Sequence, residues 1–389
     1  MQHRGCMEMS SPEVSDEELF RRWARLQRLL EAENLDALVI HGGSDSAELI
    51  YATDVNYRGA SVYFALGRGG DVLLLQRGGL GYFTDEVSKQ WRPTYRPGSE
   101  LRFEAMDARA VPATLQRWLN DRGARRIGIN LPTYTPLASA LADVDAEVVS
   151  LHGQLLALRF SKSEEELRYV RASAAVADEI VGAAADFVRP GRRAGQIVGD
   201  LHRLAIERGA DIPLDTYPGS LNAIFRHNPV PNGYVEDDIT LRRGDTFTLE
   251  VSPRVHGYYS QLTVPVSLGP VRDRIRRLNY CVLAARDAGL AYVRPGATSA
   301  DAASAMLEVI AAENCVAANT EIGHLMGIAL TEPRIGLDAV VEFVPGMTLV
   351  FHPIVRSPAA RMFMRGDTYL VTDYGHERLN TTGLDVVEL

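Results

Sequence analysis

Apolar residues recur with a helical period between residues 16 and 33, where Leu19, Trp23, Leu26, Leu29 and Leu30 share one face. The period then changes to short apolar runs at 37–41, 62–66 and 72–76, bounded by Gly and Asp, which predict strands. A helical stretch at 111–122 precedes another strand at 126–130. Strands alternating with helices over about 150 residues predict an α/β layer. The run LRFSKSEEELR at 158–168 changes character: Ser161 or Ser163 can cap a long helix that passes Val170 and Val176 and ends near Phe187. The boundary is placed near residue 155, which gives domains 1–155 and 156–389.

The second domain carries a weak internal repeat. FVRPG at 187–191 and YVRPG at 292–296 each end a helix, and GDTFTLE at 244–250 pairs with GMTLVFH at 346–352. In each copy a turn glycine feeds a strand that ends in a polar side chain. Two such halves related by a pseudo-twofold place Glu250 and His352 at equivalent positions. R-P-G is also a common helix stop, so one marker would mean little; two in register mean more.

Composition narrows the class. The 389 residues carry a formal charge of −9, which disfavours nucleic acid as the main ligand. No run of 18 apolar residues is present, and the charged N-terminal segment lacks the apolar core of a secretory signal. Three widely spaced cysteines exclude a disulfide framework or a zinc ribbon and suit a reducing cytoplasm. A cytoplasmic enzyme without a membrane or nucleic-acid partner is the expectation.

Four segments carry the candidate chemistry: NAIFRHNPVPN at 222–232, LEVSPRVHGYYSQLT at 249–263, GHLMGIALTEPR at 323–334 and PGMTLVFHP at 345–353. In this order they resemble the pita-bread family of methionine aminopeptidase, aminopeptidase P, prolidase and creatinase. RFSKSEEELRYVR at 159–171 is similar to the helix that opens the family's second domain, and the first domain resembles that of prolidase and creatinase. HNPVPN followed by GYYSQL looks closest to creatinase and its metal-free relatives. The resemblance implies an α/β N-terminal domain and an α+β pita-bread domain, with a small-molecule substrate and a second copy in a homodimer as the expected partners.

The family's metallopeptidases hold two divalent ions with two aspartates, a histidine and two glutamates. The matching positions here are Glu250, Gln261, His324, His352 and Gly366. Four carboxylates balance two ions; one carboxylate leaves a buried excess of positive charge. A two-metal peptidase is therefore not expected, and no cofactor is assigned. Glu250, His324 and His352 compose a two-histidine, one-carboxylate set that suits a single zinc or iron as an alternative.

The preferred expectation is metal-independent, creatinase-like hydrolysis of a non-peptide C–N bond in a small carboxylate-bearing amidine, guanidine or amide. His227 would shuttle protons, Glu250 would act as base or nucleophile, and His324 with His352 would polarise the substrate. Gln261, Thr263 and Tyr258 would line the pocket. Arg334, and Arg58 from a neighbouring subunit, would hold a carboxylate. Each has a plain structural reading: a packed tyrosine, a space-filling threonine, a surface arginine. His41, His152, His202, His256 and His376 receive no role. Creatinase-like enzymes have glutamates where Thr263 and His352 stand, which argues against creatine itself. A tailoring enzyme for C–N elimination, cyclisation or rearrangement and a non-catalytic binding protein are the other readings.

Overall fold

The computed structural model describes residues 14–43, 46–54, 61–77, 102–106, 110–131, 135–211, 239–357 and 360–389. Arg58 and His227, both candidate site residues, lie outside these. The chain divides into two compact units, Met1–Arg159 and Phe160–Leu389.

In the first unit, α1 (Asp16–Ala32) is capped by Ser15, whose hydroxyl accepts from the Glu18 amide, and it buries Leu19, Trp23, Leu26 and Leu30. After β1 (Ala37–Gly42) come α2 (Ala47–Thr53), β2 (Ser61–Gly67), β3 (Val72–Arg77) and β4 (Arg102–Met106). Then follow α3 (Ala110–Asp121), β5 (Arg126–Ile129), α4 (Thr135–Leu141), β6 (Glu147–Ser150) and α5 (His152–Ala157). The six strands form one mixed sheet in the order β4-β3-β2-β1-β5-β6. β1 is central, antiparallel to β2 and parallel to β5. Its Ala37–Ile40 stretch is buried throughout, which is why it reads as a continuous apolar run.

The second unit opens with α6 (Glu164–Gly182), held by a full capping box between Ser163 and Glu166. The single long helix expected to Phe187 is interrupted: α6 ends at Gly182 and a short α7 (Ala184–Phe187) follows. After α8 (Ala194–Glu207) come β7 (Thr246–Val251), β8 (Arg254–Val255), β9 (Tyr258–Tyr259) and β10 (Leu262–Ser267). The second half holds α9 (Asp273–Leu290), α10 (Ser299–Ala312), β11 (Val316–Ala317), β12 (Glu321–Met326), β13 (Glu332–Gly336), β14 (Thr348–Phe351) and β15 (Ile354–Ser357). The chain closes with β16 (Ala360–Met364), β17 (Asp367–Val371), β18 (His376–Arg378) and β19 (Val387–Glu388). The sheets carrying the cradle residues are β19-β10-β7 and β13-β12-β14-β17-β18.

The internal repeat is present in the backbone. Gly191 and Gly296 both have a positive φ (+90° and +81°), as do Gly244 and Gly346 (+87° and +85°). Hydrogen bonds repeat as well: Gly191 N–H donates to Leu241 O as Gly296 N–H donates to Phe343 O, and Ala194 to Ile239 as Ser299 to Val341. The bridge Arg193↔Thr240 has its counterpart in Thr298↔Glu342. Each half thus turns at two glycines and delivers one strand, β7 or β14, into the centre of the unit.

A buried ion pair ties the start of this unit to its centre. Lys162 Nζ lies 3.1 Å from Glu332 Oε2 and donates to Phe160 O at 3.2 Å. Both side chains are almost fully shielded from water (2% and 0% exposed), so either charge alone would be stranded. The Lys162 backbone also donates to Gly346 O at 3.0 Å, locking the pair to the glycine turn that feeds β14. Glu332→Gln is expected to cost about 3–5 kcal/mol in urea unfolding. Lys162→Met with Glu332→Leu should recover most of that loss, and a double variant as unstable as the single would show that the charge is not what matters.

Candidate functional site

Glu250, Gln261, Thr263, His324, His352 and Gly366 meet where the two halves of the second unit join. Thr263 faces Glu250 across the β7–β10 ladder. Gln261 lies two residues from Thr263, on the same side by the alternation of extended chain. In the other half, His324 is opposite Val350, and the His352 amide donates to Ile322 O at 2.9 Å, continuing that register. His324 and His352 therefore share a face, with their rings edge to face at 5.2 Å. Glu250, Gln261, Thr263 and His324 are buried, and His352 is half-buried.

Among the contacts that join the halves, two form a seam beside the cradle. Thr263 and Gly366 exchange backbone hydrogen bonds at 2.8 and 3.0 Å. The Thr368 hydroxyl accepts from Gln261 N–H and donates to Gln261 O, both at 2.9 Å. Thr368 is not among the residues expected from the sequence; an ordinary strand threonine carries no local signal of such a role.

His324 is held on both sides. Nδ1 lies 3.1 Å from Leu325 O, and Nε2 lies 3.0 Å from the carboxamide end of Gln261. Burial, the neighbouring His352 and the Arg334 guanidinium push its pKa down to about 3, so the ring is neutral near pH 7. A neutral ring has one N–H to share between two oxygen neighbours, Leu325 O and Gln261 Oε1, and the Gln261 amide nitrogen donates to the Thr263 hydroxyl at 3.4 Å.

The donor set does not fit the metal centre that the fold family implies. It offers one carboxylate, a neutral amide, two imidazoles and a glycine. A Cβ on Gly366 would stand 2.8 Å from His352 Cβ and 2.9 Å from Phe351 O, so a carboxylate side chain there has no room. The single-metal alternative fits no better: among the described residues no group of three or more His, Cys, Asp and Glu side chains is arranged to hold an ion.

The remaining expected residues separate. Tyr258 is buried, with its hydroxyl donating to Glu166 at 2.8 Å and its ring stacked on Tyr169, so it supports α6. Arg334 pairs across the ladder with His324, exposed, and its Nη1 donates to Glu321 at 2.8 Å.

Together these features describe a two-unit protein of pita-bread fold, with its candidate site at the junction of the repeated halves. The chain matches the model of metallopeptidase family M24 over residues 168–373, more than half its length, and belongs to that family. The uncharacterized peptidase YqhT of Bacillus subtilis is 25% identical over 272 residues, spanning 69% of this chain and 76% of that protein. The Xaa-Pro dipeptidase of Pyrococcus furiosus is 26% identical over 228 residues, 58% of this chain and 64% of that protein, a little under two thirds of its length. The structure of an Xaa-Pro dipeptidase from Bacillus anthracis superimposes with a TM-score of 0.80 at 19% identity, covering 95% of this chain and 100% of that one.

These relatives correct the expected activity. The sequence pointed to creatinase-like cleavage of a non-peptide C–N bond. Creatinase from a Bacillus species does match, at 22% identity over 403 residues, but relatives named as peptidases match at higher identity. The creatinase-like amidinohydrolase reading is set aside. The physical reason is that a cradle with a single carboxylate tells which ion it does not favour, and says nothing of which C–N bond it meets. Among the described residues no helix is long and apolar enough to cross a membrane.

The depressed pKa of His324 gives a signed prediction. Between the usual imidazole value near 6.5 and the folded value of about 3, the unfolded chain binds the extra proton and the folded chain does not. The contribution of this group is complete above pH 6.5 and is lost as pH falls toward 3, by at most about 1.4 kcal/mol per pH unit. Urea midpoints measured across that range should fall less steeply in His324→Gln than in the unaltered protein; equal slopes would mean that the ring is already charged in the fold.

Proposed function

We propose that this protein hydrolyses the amide bond of a short peptide with a free carboxylate, and does so without a two-metal centre. The observation that carries the reading is Glu250, a buried carboxylate opposite Thr263 in the cradle of a family whose members include proteins named dipeptidases. Peptide hydrolysis needs a base for water, a donor for the leaving nitrogen and a hold on the substrate. Glu250 takes the proton from water. His352, half-buried beside the neutral His324, returns a proton to the leaving nitrogen. Gln261 and Leu325 O hold the His324 ring in place, and its bulk orients His352. Arg334 receives the substrate carboxylate in exchange for Glu321. A homodimer and a small-molecule peptide as the main partner belong to the same proposal.

Chelator-treated protein assayed against a panel of dipeptides, Xaa-Pro among them, is expected to release free amino acid without added metal. Glu250→Gln should lower kcat by ~10²–10⁴-fold while leaving the fold intact by circular dichroism. Cleavage that appears only with stoichiometric manganese, cobalt or zinc would overturn the metal-free part. Absence of cleavage across the panel in natively folded protein would overturn the peptidase reading itself.

A further inference from the structure

Asp367 and Tyr369 lie on the side of β17 turned away from the cradle. The intervening Thr368 bonds to Gln261, so strand alternation puts its two neighbours on the other side. Arg365, two residues before Asp367 in the same extended run, falls on that side too. Tyr369 packs in the core of the second half together with the buried face of α9, which supplies Arg286. Arg378 on β18 stands opposite Tyr369 in the ladder. Arg378 donates to Asp367 Oδ1 through Nε at 3.1 Å and Nη2 at 2.5 Å. Arg286 Nη1 stands 3.5 Å from Oδ2, an ion pair without a hydrogen bond. Arg365 and Arg378 both grip the same short segment: Arg365 donates to Gly383 O and Asp385 O, and Arg378 to Thr382 O.

The cluster is short of negative charge. Three guanidiniums bring +3, while the buried Asp367 and the exposed Asp287, which accepts from Arg286 Nε and Nη2 at 3.0 and 2.6 Å, bring −2. Arg286 and Arg365 are 6% and 1% exposed, so water does little to offset the remainder. The cluster is also short of acceptors. Arg286 Nη1, Arg365 Nε and the Tyr369 hydroxyl are shielded from solvent and have no hydrogen-bond partner. Burial, with Asp367 nearby, pushes the Tyr369 phenol well above its usual range, so it keeps an O–H to donate. One monovalent ion that accepts several hydrogen bonds and donates none ends both deficits; a phosphate dianion overshoots the charge, and water brings none.

We propose that Arg286, Arg365 and Tyr369 form a binding site for a monovalent halide, chloride in ordinary salt, which steadies the seam between the two halves from behind. Arg365 and Asp367 are the chain neighbours of Gly366, whose backbone bonds with Thr263 make that seam. An ion held by Arg365 and by Arg286, itself paired with Asp367, restrains the chain on both sides of Gly366.

The test holds the full chain at constant ionic strength while sodium chloride replaces sodium gluconate. Tm should rise along a saturating curve, by roughly 3–6 °C at ten times the half-saturating concentration, and bromide should act as chloride does. Equal Tm in the two salts would overturn the site. Tyr369→Phe keeps the ring and removes one donor; the half-saturating concentration should rise by roughly 3–10-fold, and an unchanged value would overturn the hydroxyl's part. Arg365→Met should abolish the response. In crystals grown in bromide, the anomalous signal should fall within hydrogen-bond reach of Arg286 Nη1, Arg365 Nε and the Tyr369 hydroxyl. Bromide found elsewhere on the molecule, an adventitious ion only, would overturn the proposal. Amide exchange at Thr263 and Gly366 should slow with chloride; unchanged exchange there would overturn the coupling to the seam. None of these measurements uses turnover, so their outcome is separate from that of the peptidase assay.

Discussion

Everything at the centre of the second unit depends on the reciprocal backbone bonds between Thr263 and Gly366. They join strands from the two repeated halves at one point, and the Thr368 hydroxyl fastens the adjoining Gln261 backbone on both its donor and its acceptor. Without that seam Gln261 would have no reason to meet His324, 63 positions away in the chain. Gly366 serves the seam twice. It lets the backbones close, and its missing side chain leaves the space that His352 occupies.

The electrostatic character of the cradle follows from this closure. A single carboxylate, Glu250, faces neutral hydrogen-bonding groups, and the retained imidazole of His324 is kept neutral by burial and by His352. A buried site tolerates this because its polar groups satisfy one another: His324 between Leu325 O and Gln261, and Gln261 against Thr263. The same principle explains the Lys162–Glu332 pair, where two opposite charges replace what water would otherwise supply. The family's architecture is thus intact around a centre whose charge balance differs from that of a two-metal site.

Much of this is legible in the sequence. The strands at 37–41, 62–66 and 72–76, the amphipathic first helix and the Ser163 cap all follow from periodicity and capping chemistry, and the structure has each within a residue or two. The repeat is legible because glycine is the residue that adopts a left-handed turn without strain, and it recurs at 191 and 296 and again at 244 and 346. The break between α6 and α7 is not legible, because the apolar spacing continues through it and no proline stops the helix; only Gly182 marks the place. The activity is misread from the sequence when a few altered positions are weighed more heavily than the relatedness of the chain as a whole.

By itself, the sequence determined the two-layer alternation of the first unit, the duplicated helix–turn–strand order of the second, and the number of carboxylates available to a buried centre. These are local properties: side-chain period, cap chemistry, allowed φ and formal charge. Only the tertiary structure decided that Gln261 meets His324, that Tyr258 serves Glu166 and that Arg334 rests on Glu321. Those pairings join residues from separate strands and helices, and no pattern along the chain specifies which distant partner a buried polar group will find.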